Sequence, residues 1–459
     1  MGDRGLPASP QADRRLLRPI GTLVVDQERE RAVDIHLDYG QTGLTVTLPG
    51  DADITVVSPR HVAPLPDPAA ALRAALAEPI ASPPLRDLVR AGDTVAIVFS
   101  DITRPTPNHL LLPAVLDALA QVPAANIVLC NALGTHRPNT PAELEQMLGA
   151  QLARRYRIEQ NNYFDPSTQV YLGESSNGHP IWINRAYMQA DVKILTGFIE
   201  PHFFAGFSGG GKAVMPGMAG QVTVLGNHDA GMIGNPHATW GVTAGNPIFE
   251  EARQVALRTE PAFLLNVTLN RARQITGVFA GDLVAAHDAG IAFARQKTMV
   301  PVPDPFEIVI TTNSGYPLDM NLYQCGKGMS AAEQVVRSGG AIIMVAECSE
   351  GIPEHGLFGE MLRAARSPQE MYEAVLNAPE TRQDQWAAQI QARIQLKADV
   401  YLYSDYFDDQ ATREALLIPC HDVAETVAAL REIYGRDARI CVLPEGPQTI
   451  PYVAETVAG

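Results

Sequence analysis

The sequence has few cysteines, a shortage of positive charge and no long apolar run. Its five cysteines form no C-x-x-C pair, so neither a disulfide framework nor a cysteine zinc site is indicated, and a reducing, cytoplasmic setting fits best. Lys and Arg total 35 against 51 Asp and Glu, a formal net charge of −16, which argues against nucleic acid or an anionic membrane as a partner. No apolar stretch reaches membrane-spanning length.

The composition that remains is that of an ordinary globular protein. The 459 residues are 46% hydrophobic and 19% charged, which predicts two or three domains. Residues 1–33 lack the apolar segment of a signal peptide and are predicted to form a polar extension. From residue 34, the alternating stretch "VDIHLDYGQTGLTVTL" predicts a small antiparallel β element.

Short runs rich in Val and Ile follow, separated by helical patterns. Such runs are typical of parallel strands buried on both faces, so we predict an α/β fold with largely parallel sheets and flanking helices. The proline-rich segment 298–309 is the predicted hinge. It divides the chain into an N-terminal cofactor-binding domain, 34–299, and a C-terminal domain, 300–459, whose last residues could return to the first domain. The predicted strands are 93–100, 126–132, 191–197, 306–312 and 340–347.

Polar clusters follow four of these strands. "DITRPTP" follows the first, "GTHRPNT" the second, "FIEPHFFAGFSGGGK" the third and "NSGYPLDMNLYQCGKG" the fourth. Ligands in open α/β sheets bind beyond the carboxyl ends of the strands. The sequence therefore predicts a site built from the Asp, Arg, His and Lys residues of these loops.

The glycine-rich stretch "AGFSGGGKAVMPG" (205–217) nearly matches the phosphate-binding pattern G-x-x-x-x-G-K-[ST]. An alanine stands where that pattern requires a hydroxyl, and Pro216 stands where the following helix should continue. A solvated Lys212 in a tight loop is the plain alternative. His202, ten residues before Lys212, and His228, sixteen residues after it, favour a functional role.

Three histidines, His136, His202 and His228, lie in the predicted loops. A single histidine is more often a hydrogen-bonded structural residue than a ligand or base. Three in such loops are candidates for a proton-transfer pair and a metal ligand, because neutral imidazole serves both purposes. No H-E-x-x-H helix is present, so a zinc protease site is not indicated.

The loop "DITRPTP" carries Asp101, Thr103 and Arg104 between a strand and two prolines. Arginine with a neighbouring hydroxyl suits the bidentate binding of a phosphate or carboxylate. The alternative is a contact between Asp101 and Arg104 that only stabilises the turn.

The stretch "YQCGKGMSAAE" places Tyr323, Gln324 and Lys327 just before a predicted helix. The dipole at a helix N-terminus adds to anion binding at such a position. The alternative is a helix capped by Ser330 beside a solvated lysine.

Five motifs, "DITRPTP", "GTHRP", "EPHFFAGFSGGGK", "GNHDAG" and "YQCGKG", closely resemble in order and spacing the nickel-dependent lactate racemase family, from about residue 65 to about residue 390. The resemblance implies a two-domain α/β enzyme with its active site in the cleft between the domains. It implies a covalently bound nickel-pincer nucleotide, whose pyridinium carbon and two sulfurs hold nickel, and maturation proteins that supply it. The implied activity is that of a racemase or carbon-2 epimerase acting on a small 2-hydroxy acid.

The resemblance also implies individual roles. Lys212 would join the cofactor through a thioamide, His228 would be the protein ligand of nickel, and His136 and His202 would be the acid/base pair. Lys327 and Arg104 would hold the substrate carboxylate. The other cofactor residues would be Asp101, Thr103 and Arg104 with Gly209, Gly210 and Gly211, whose backbone would approach the nucleotide, and the other substrate residues would be Tyr323, Gln324 and Trp386.

The implied chemistry suits a 2-hydroxy acid. Its α C–H is too weakly acidic for a side-chain base, whereas a histidine can take the hydroxyl proton while hydride leaves for a cofactor, and the planar keto acid can receive hydride on either face. The motifs do not identify the rest of the substrate. Two other classes remain as alternatives: a P-loop-like ATPase or kinase, and a non-catalytic carrier of the nickel cofactor.

Overall fold

The computed structural model describes residues 32–60, 62–353 and 356–454, so the predicted N-terminal extension lies almost entirely outside the described residues. The strands are β1 (Val33–Leu37), β2 (Leu44–Leu48), β3 (Asp53–Val56), β4 (Val95–Ser100), β5 (Ile127–Ala132), β6 (Arg157–Gln160), β7 (Gln169–Glu174), β8 (Pro180–Asn184), β9 (Val192–Phe198), β10 (Pro201–His202), β11 (Gly206–Phe207), β12 (Phe263–Leu269), β13 (Ile275–Gly281), β14 (Met299–Val302), β15 (Phe306–Thr312), β16 (Val336–Val345), β17 (Asp399–Tyr403), β18 (Ile418–Pro419), β19 (Arg439–Leu443) and β20 (Ile450–Val453).

The helices alternate with these strands. They are α1 (Pro68–Ala77), α2 (Leu85–Leu88), α3 (Asn108–Ala118), α4 (Pro141–Leu148), α5 (Ala150–Arg155), α6 (Arg185–Met188), α7 (Gln221–Asn227), α8 (Ala230–Gly234), α9 (Pro247–Arg258), α10 (Leu283–Thr298), α11 (Leu322–Glu333), α12 (Phe358–Ala364), α13 (Pro368–Leu376), α14 (Gln385–Lys397), α15 (Asp409–Glu414) and α16 (Val423–Tyr434).

Two six-stranded sheets organise the chain. The first has the order β13-β12-β9-β4-β5-β6 and is parallel except at its edge, where β13 runs antiparallel to β12. The second has the order β18-β17-β16-β15-β19-β3 and is parallel throughout. Every residue of β9 is buried, as expected of a strand covered on both faces. The predicted α/β fold with largely parallel sheets is confirmed.

Residues 32–57 join the second sheet, whereas the predicted domain boundary assigned residues from 34 onwards to the first domain. β1 and β2 form the predicted antiparallel pair, but β3 pairs in parallel with β19. The alternating apolar residues of the β1–β2 pair pack on one face of the second sheet, in one cluster with Ile308 and Val442. An amphipathic hairpin indicates that it covers a sheet but not which one, so only the tertiary structure decides this assignment.

The proline-rich segment at the predicted hinge forms strands. β14 (Met299–Val302) pairs in parallel with β20 (Ile450–Val453), so the end of the described chain returns to the junction between the sheets. The first half of the chain, built on the first sheet, and the second half, built on the second sheet, are also in buried contact. The Trp240 indole donates to the Ser330 hydroxyl at 3.1 Å. Ser330 lies inside α11 and does not cap it.

Helix α11 begins earlier than predicted. Asn321 caps it, accepting from the Gln324 backbone N–H at 3.2 Å, so Tyr323, Gln324 and Lys327 lie on its first turns and not before it. The glycines in "CGKG" resemble helix breakers in the sequence. One of them, Gly328, lies where an added Cβ would collide with a carbonyl oxygen of β15, so glycine permits close packing of helix on strand.

The parallel order brings the predicted loops together. β4 lies between β5 and β9, and all three point the same way, so the loops that follow them meet at one edge of the sheet. Across the described ranges, no helix is both long and apolar enough to cross a membrane.

Asp319 provides a test of the packing of the N-terminal segment. Its buried carboxylate accepts from the backbone N–H groups of Gly40 at 2.8 Å and Glu347 at 3.1 Å. Asp319→Ala would leave two donors unpaired, and we expect the free energy of unfolding to fall by about 2–4 kcal/mol. Urea denaturation measures this, with the exposed Asp437→Ala as control. An equal, small effect of both variants would contradict the prediction.

Candidate active site

The predicted residues converge on one cleft. His136 follows β5, His202 lies on β10 just after β9, and Lys327 lies on α11 of the other half. The guanidinium of Arg104, in the loop after β4, contributes to the pKa shifts of Lys212, His202 and Lys327. Because such charge effects are short-ranged in proteins, these groups lie close together.

Asp101 and His136 form a hydrogen-bonded pair. His136 Nδ1 lies 2.7 Å from Asp101 Oδ2, and the Thr103 hydroxyl donates to Asp101 Oδ1 at 2.9 Å. Burial acts to raise the pKa of Asp101, but the hydrogen bond and charge of His136, together with Arg104, outweigh it and lower that pKa. A carboxylate at Nδ1 fixes the tautomer that leaves Nε2 free as a base. The observed contacts of Asp101 and Thr103 thus orient His136, whereas the sequence suggested cofactor binding.

His202 is held in the opposite tautomer. Its Nδ1 accepts from the Ala205 backbone N–H at 3.2 Å, so the proton of the neutral ring lies on Nε2. Burial, followed by the charges of Lys212 and Arg104, lowers its pKa well below the usual value. The ring therefore presents an N–H donor, and the two catalytic candidates are not equivalent in this arrangement.

His228 has the geometry of a metal ligand. Its Nδ1 lies 3.0 Å from the Val224 carbonyl oxygen, to which it donates, so Nε2 keeps a free lone pair. Burial and then the charge of Lys212 lower the pKa of His228 to about 3, which keeps the ring neutral as a ligand must be. The ring packs edge-on against Phe204 and Trp386, each with its centroid 5.1 Å away.

Lys212 lies in a 3₁₀ turn, Gly210–Ala213, with its Nζ 5.6 Å from the centroid of Phe204. Burial and then the charge of Arg104 lower its pKa to about 7. A large fraction of this amine is therefore neutral at neutral pH, and a neutral amine is a nucleophile. Lys212 and His228 contact the same aromatic ring, which places the candidate anchor near the metal-ligand candidate.

The glycines of this turn pack against protein. The contacts that a Cβ would meet are Asn266 Oδ1 at 2.6 Å for Gly209, the His287 ring for Gly210 and the Ala252 carbonyl oxygen at 2.8 Å for Gly211. Gly209 and Gly210 also have φ of +79° and +52°. Close packing behind the loop by itself requires glycine at these positions, and the approach of a nucleotide to their backbone stays a prediction.

The substrate-side candidates lie on α11 and α14. Lys327 Nζ donates to Gln324 Oε1 at 3.0 Å, and burial followed by the charge of Arg104 lowers the pKa of Lys327 to about 8. Tyr323 lies one residue before Gln324 on the same helix. Trp386 lies on α14 and contacts the His228 ring of the first half. The two helices of the second half therefore bring these residues up to the cleft.

Two cavities among the described residues are candidates for a substrate site. A larger cleft of about 650 Å³ opens between α7 and the segment 380–383 but contains none of the predicted site residues. A narrow cavity of about 20 Å³ adjoins the predicted substrate residues. Its polar wall is Tyr323, Gln324 and Lys327, and its apolar walls include Phe203, Phe358, Ala387 and Ile390. The narrow cavity is the better candidate for part of the substrate site, because it adjoins a cation and an amide that can hold a carboxylate.

The structure adds Glu200 to the site. Its side chain reaches solvent and makes no hydrogen bond or ion pair among the described residues. The surrounding protein nevertheless raises the pKa of Glu200, while the charges of Arg104 and Lys327 oppose that rise. The sequence signal was its position just after β9, directly before "PH". Sequence reasoning missed this residue because the neighbouring histidine carried the motif.

The described residues contain no group of three or more His, Cys, Asp and Glu placed to hold a metal ion. Among the predicted residues, His228 offers a neutral imidazole whose Nε2 is free. This arrangement fits a metal whose remaining ligands come from a cofactor, and the half-neutral Lys212 beside it fits a covalent anchor.

The lysine loop differs from a phosphate-binding loop. The turn at 210–213 is followed by further turns, and the next helix, α7, begins only at Gln221. A P-loop instead runs directly into a helix whose N-terminus faces the phosphates. The geometry therefore argues against the triphosphate alternative.

Comparison with known proteins identifies relatives over most of the chain. Residues 39–241 match the family model for the lactate racemase N-terminal domain, and residues 303–450 match that for the C-terminal domain. Lactate racemases from Thermoanaerobacterium thermosaccharolyticum and Lactiplantibacillus plantarum are 35% and 38% identical, over 83% and 81% of this chain and 89% and 88% of theirs.

Solved structures agree with this result. The lactate racemase apoprotein from Thermoanaerobacterium thermosaccharolyticum superposes with a TM-score of 0.86 at 33% identity, covering 91% of this chain and 100% of that chain. A protein from Thermotoga maritima, at a TM-score of 0.65 and 19% identity over 86% of this chain and 100% of its own, shares the fold.

Proposed function

The chain belongs to the lactate racemase family and is an isomerase of that family, and we propose that it inverts the carbinol carbon of a small 2-hydroxy acid with a nickel-pincer nucleotide anchored on Lys212. The observation that carries the proposal is the placement of His228 and Lys212 against the same ring, Phe204, one with Nε2 free for a metal and the other half-neutral. The proposal includes maturation proteins that supply the cofactor and a cytoplasmic setting.

The cofactor would be held by Lys212 through its amine and by His228 through Nε2, with Arg104 available for the phosphate or for the substrate carboxylate. When bound, it supplies an acceptor and donor of hydride. The apolar rings of Phe204 and Trp386 around His228 exclude water from this position, which protects such chemistry from competing reactions.

His136 is positioned as the base. Its Nε2 takes the hydroxyl proton of the substrate, and Asp101 stabilises the imidazolium that results. His202 offers its Nε2–H as a hydrogen-bond donor to the substrate oxygen and keeps that proton. To take a proton in the reverse direction, His202 must move its own proton to Nδ1, which breaks its contact with the Ala205 N–H.

The narrow cavity favours a substrate with one carboxylate and a short apolar substituent. Lys327 offers the cation for that carboxylate, and most of the other walls are apolar. The acidic side chain of Glu200 lies beside Arg104 and Lys327, which disfavours a second carboxylate of the substrate at this position. We therefore favour a lactate-like acid over a diacid or a sugar acid.

Loading is tested on chain co-expressed with the cofactor-making proteins. We expect a mass addition on Lys212 with about one nickel per chain, the stoichiometry of a single site, and racemisation of a 2-hydroxy acid. Lys212→Ala should remove the addition, whereas His136→Ala should load normally and lose activity. An unmodified Lys212 in a preparation where a known racemase is loaded would refute the anchor.

The same variants separate the alternatives. ATP hydrolysis that is lost in Lys212→Ala would support the ATPase or kinase. Normal loading of wild type and His136→Ala, with no racemase activity in either, would support the carrier, because a carrier needs its anchor and metal ligand but no base.

The hydride route predicts the fate of the α-hydrogen. Substrate deuterated at the α carbon should keep its deuterium through racemisation in ordinary water, because hydride returns to the same carbon without exchange. Mass spectrometry of both enantiomers measures the label. If the label washes out as fast as the substrate racemises, proton abstraction replaces the hydride route.

Lys327 predicts a pH dependence of substrate binding. Its pKa of about 8 means that the amine is charged below that pH and neutral above it. The KM should therefore rise as the pH passes this value, by up to about tenfold per pH unit. Lys212 would not titrate once it is acylated. Lys327→Met should raise KM at every pH and abolish the rise; the same rise in that variant would assign it to another group.

A further inference from the structure

Two buried polar side chains lie behind the catalytic loops without a role in the chemistry above. We propose that Asn266 and His287 are positioning residues, which hold the turn of Lys212 and the hairpin of His202 in a fixed relation before any cofactor is bound. The importance of that relation rests on the proposed function, whereas the contacts themselves do not.

Asn266 holds the turn from the sheet side. It lies on β12 and is fully buried. Its Oδ1 accepts from the Gly210 backbone N–H at 2.8 Å, and its Nδ2 donates to the Leu265 carbonyl oxygen at 3.0 Å. The side chain thereby fastens the first residue of the 3₁₀ turn to a strand inside the sheet.

His287 holds the same turn from the helix side. It lies on α10, is 2% exposed and stacks on Phe249 at 5.8 Å. Its Nε2 lies 3.0 Å from the Ser208 carbonyl oxygen, to which it donates. Among the described residues its Nδ1 has no hydrogen-bond partner and faces Gly210, where a Cβ would collide with it. The imidazole edge therefore lies along residues 208–210.

Ser208 connects this turn to the hairpin of His202, which is formed by β10 and β11. Its N–H donates to the Glu200 carbonyl oxygen at 2.9 Å, and the Glu200 N–H donates to its hydroxyl at 3.0 Å. The hydroxyl itself donates to the Phe198 carbonyl oxygen at 3.1 Å. Strand β10, which carries His202, begins directly after Glu200. Ser208 therefore connects His287 to the backbone of that strand.

The environment keeps His287 neutral. Burial lowers its pKa to about 4; its hydrogen bond to Ser208 and the charge of Asp288 oppose this shift, and the charge of Arg253 adds to it. The single proton of the neutral ring is thus available for Ser208, and the bare Nδ1 can lie against the glycine.

The test uses the full chain without cofactor. Amide hydrogen exchange of the peptide covering 208–213 reports the order of the loop, and it is compared in His287→Leu, His287→Gln and Asn266→Ala. Glutamine keeps a donor near the position of Nε2, and leucine removes it. The matched control is Thr268→Val, on the same strand as Asn266, which loses a buried hydroxyl pair with Thr276 (2.9 Å) away from the loop.

We expect exchange in 208–213 to accelerate at least about fivefold in His287→Leu and Asn266→Ala, with wild-type rates largely restored in His287→Gln. Thr268→Val should lower the melting temperature and leave this peptide unchanged. The same variants co-expressed with the cofactor-making proteins should show reduced mass addition on Lys212 in the order of their loop exchange.

Unchanged exchange in a folded His287→Leu, or equal acceleration in Thr268→Val, would overturn the positioning role. If His287→Leu does not fold, Asn266→Ala decides the question by the same readout. Because exchange is measured without cofactor, a failure of the proposed chemistry would leave wild-type Lys212 unmodified while the exchange result stands, so the two failures are distinguishable.

Discussion

The rest of the site depends on the crowding of cationic groups in one half-buried cleft. Burial lowers the pKa values of Lys212, His202 and Lys327, and the charge of the Arg104 guanidinium adds to each of these shifts towards the neutral form. Neutrality suits Lys212 in its proposed role, because a protonated amine cannot be acylated, and the neutral ring of His202 keeps Nδ1 free to accept from the Ala205 N–H. In the proposed function, the guanidinium charge of Arg104 also attracts an anionic substrate.

Acidic groups moderate this crowding without cancelling it. Asp101 is engaged with His136 and Thr103 by hydrogen bonds, and its charge also interacts with Arg104. Glu200 is close enough to Lys327 for each to affect the pKa of the other. The chain has a formal net charge of −16, yet basic side chains gather in the cleft. The two nearby carboxylates, Asp101 and Glu200, lie at different places beside them.

Close packing behind the loops holds the basic side chains of the cleft near one another. Like charges would push flexible loops apart, yet the lysine turn is packed on Asn266, His287 and helix α9 so closely that a Cβ is excluded at successive glycines. The second half has the same feature, because Gly328 lets α11 lie against β15 and so fixes the helix that carries Lys327. In both places, glycine permits close packing between two segments of the chain.

The sequence by itself determined the α/β class, the strands that end at the site and the residue types of the cleft, because buried parallel strands and strand-end motifs are local patterns. It did not determine which sheet receives β3, where α11 begins, that Asp101 turns to His136, or that His202 is held with its proton on Nε2. These depend on contacts between elements that the local pattern does not specify. Only the tertiary structure could decide them, since a motif specifies which side chains are present but not what packs behind them or removes their water.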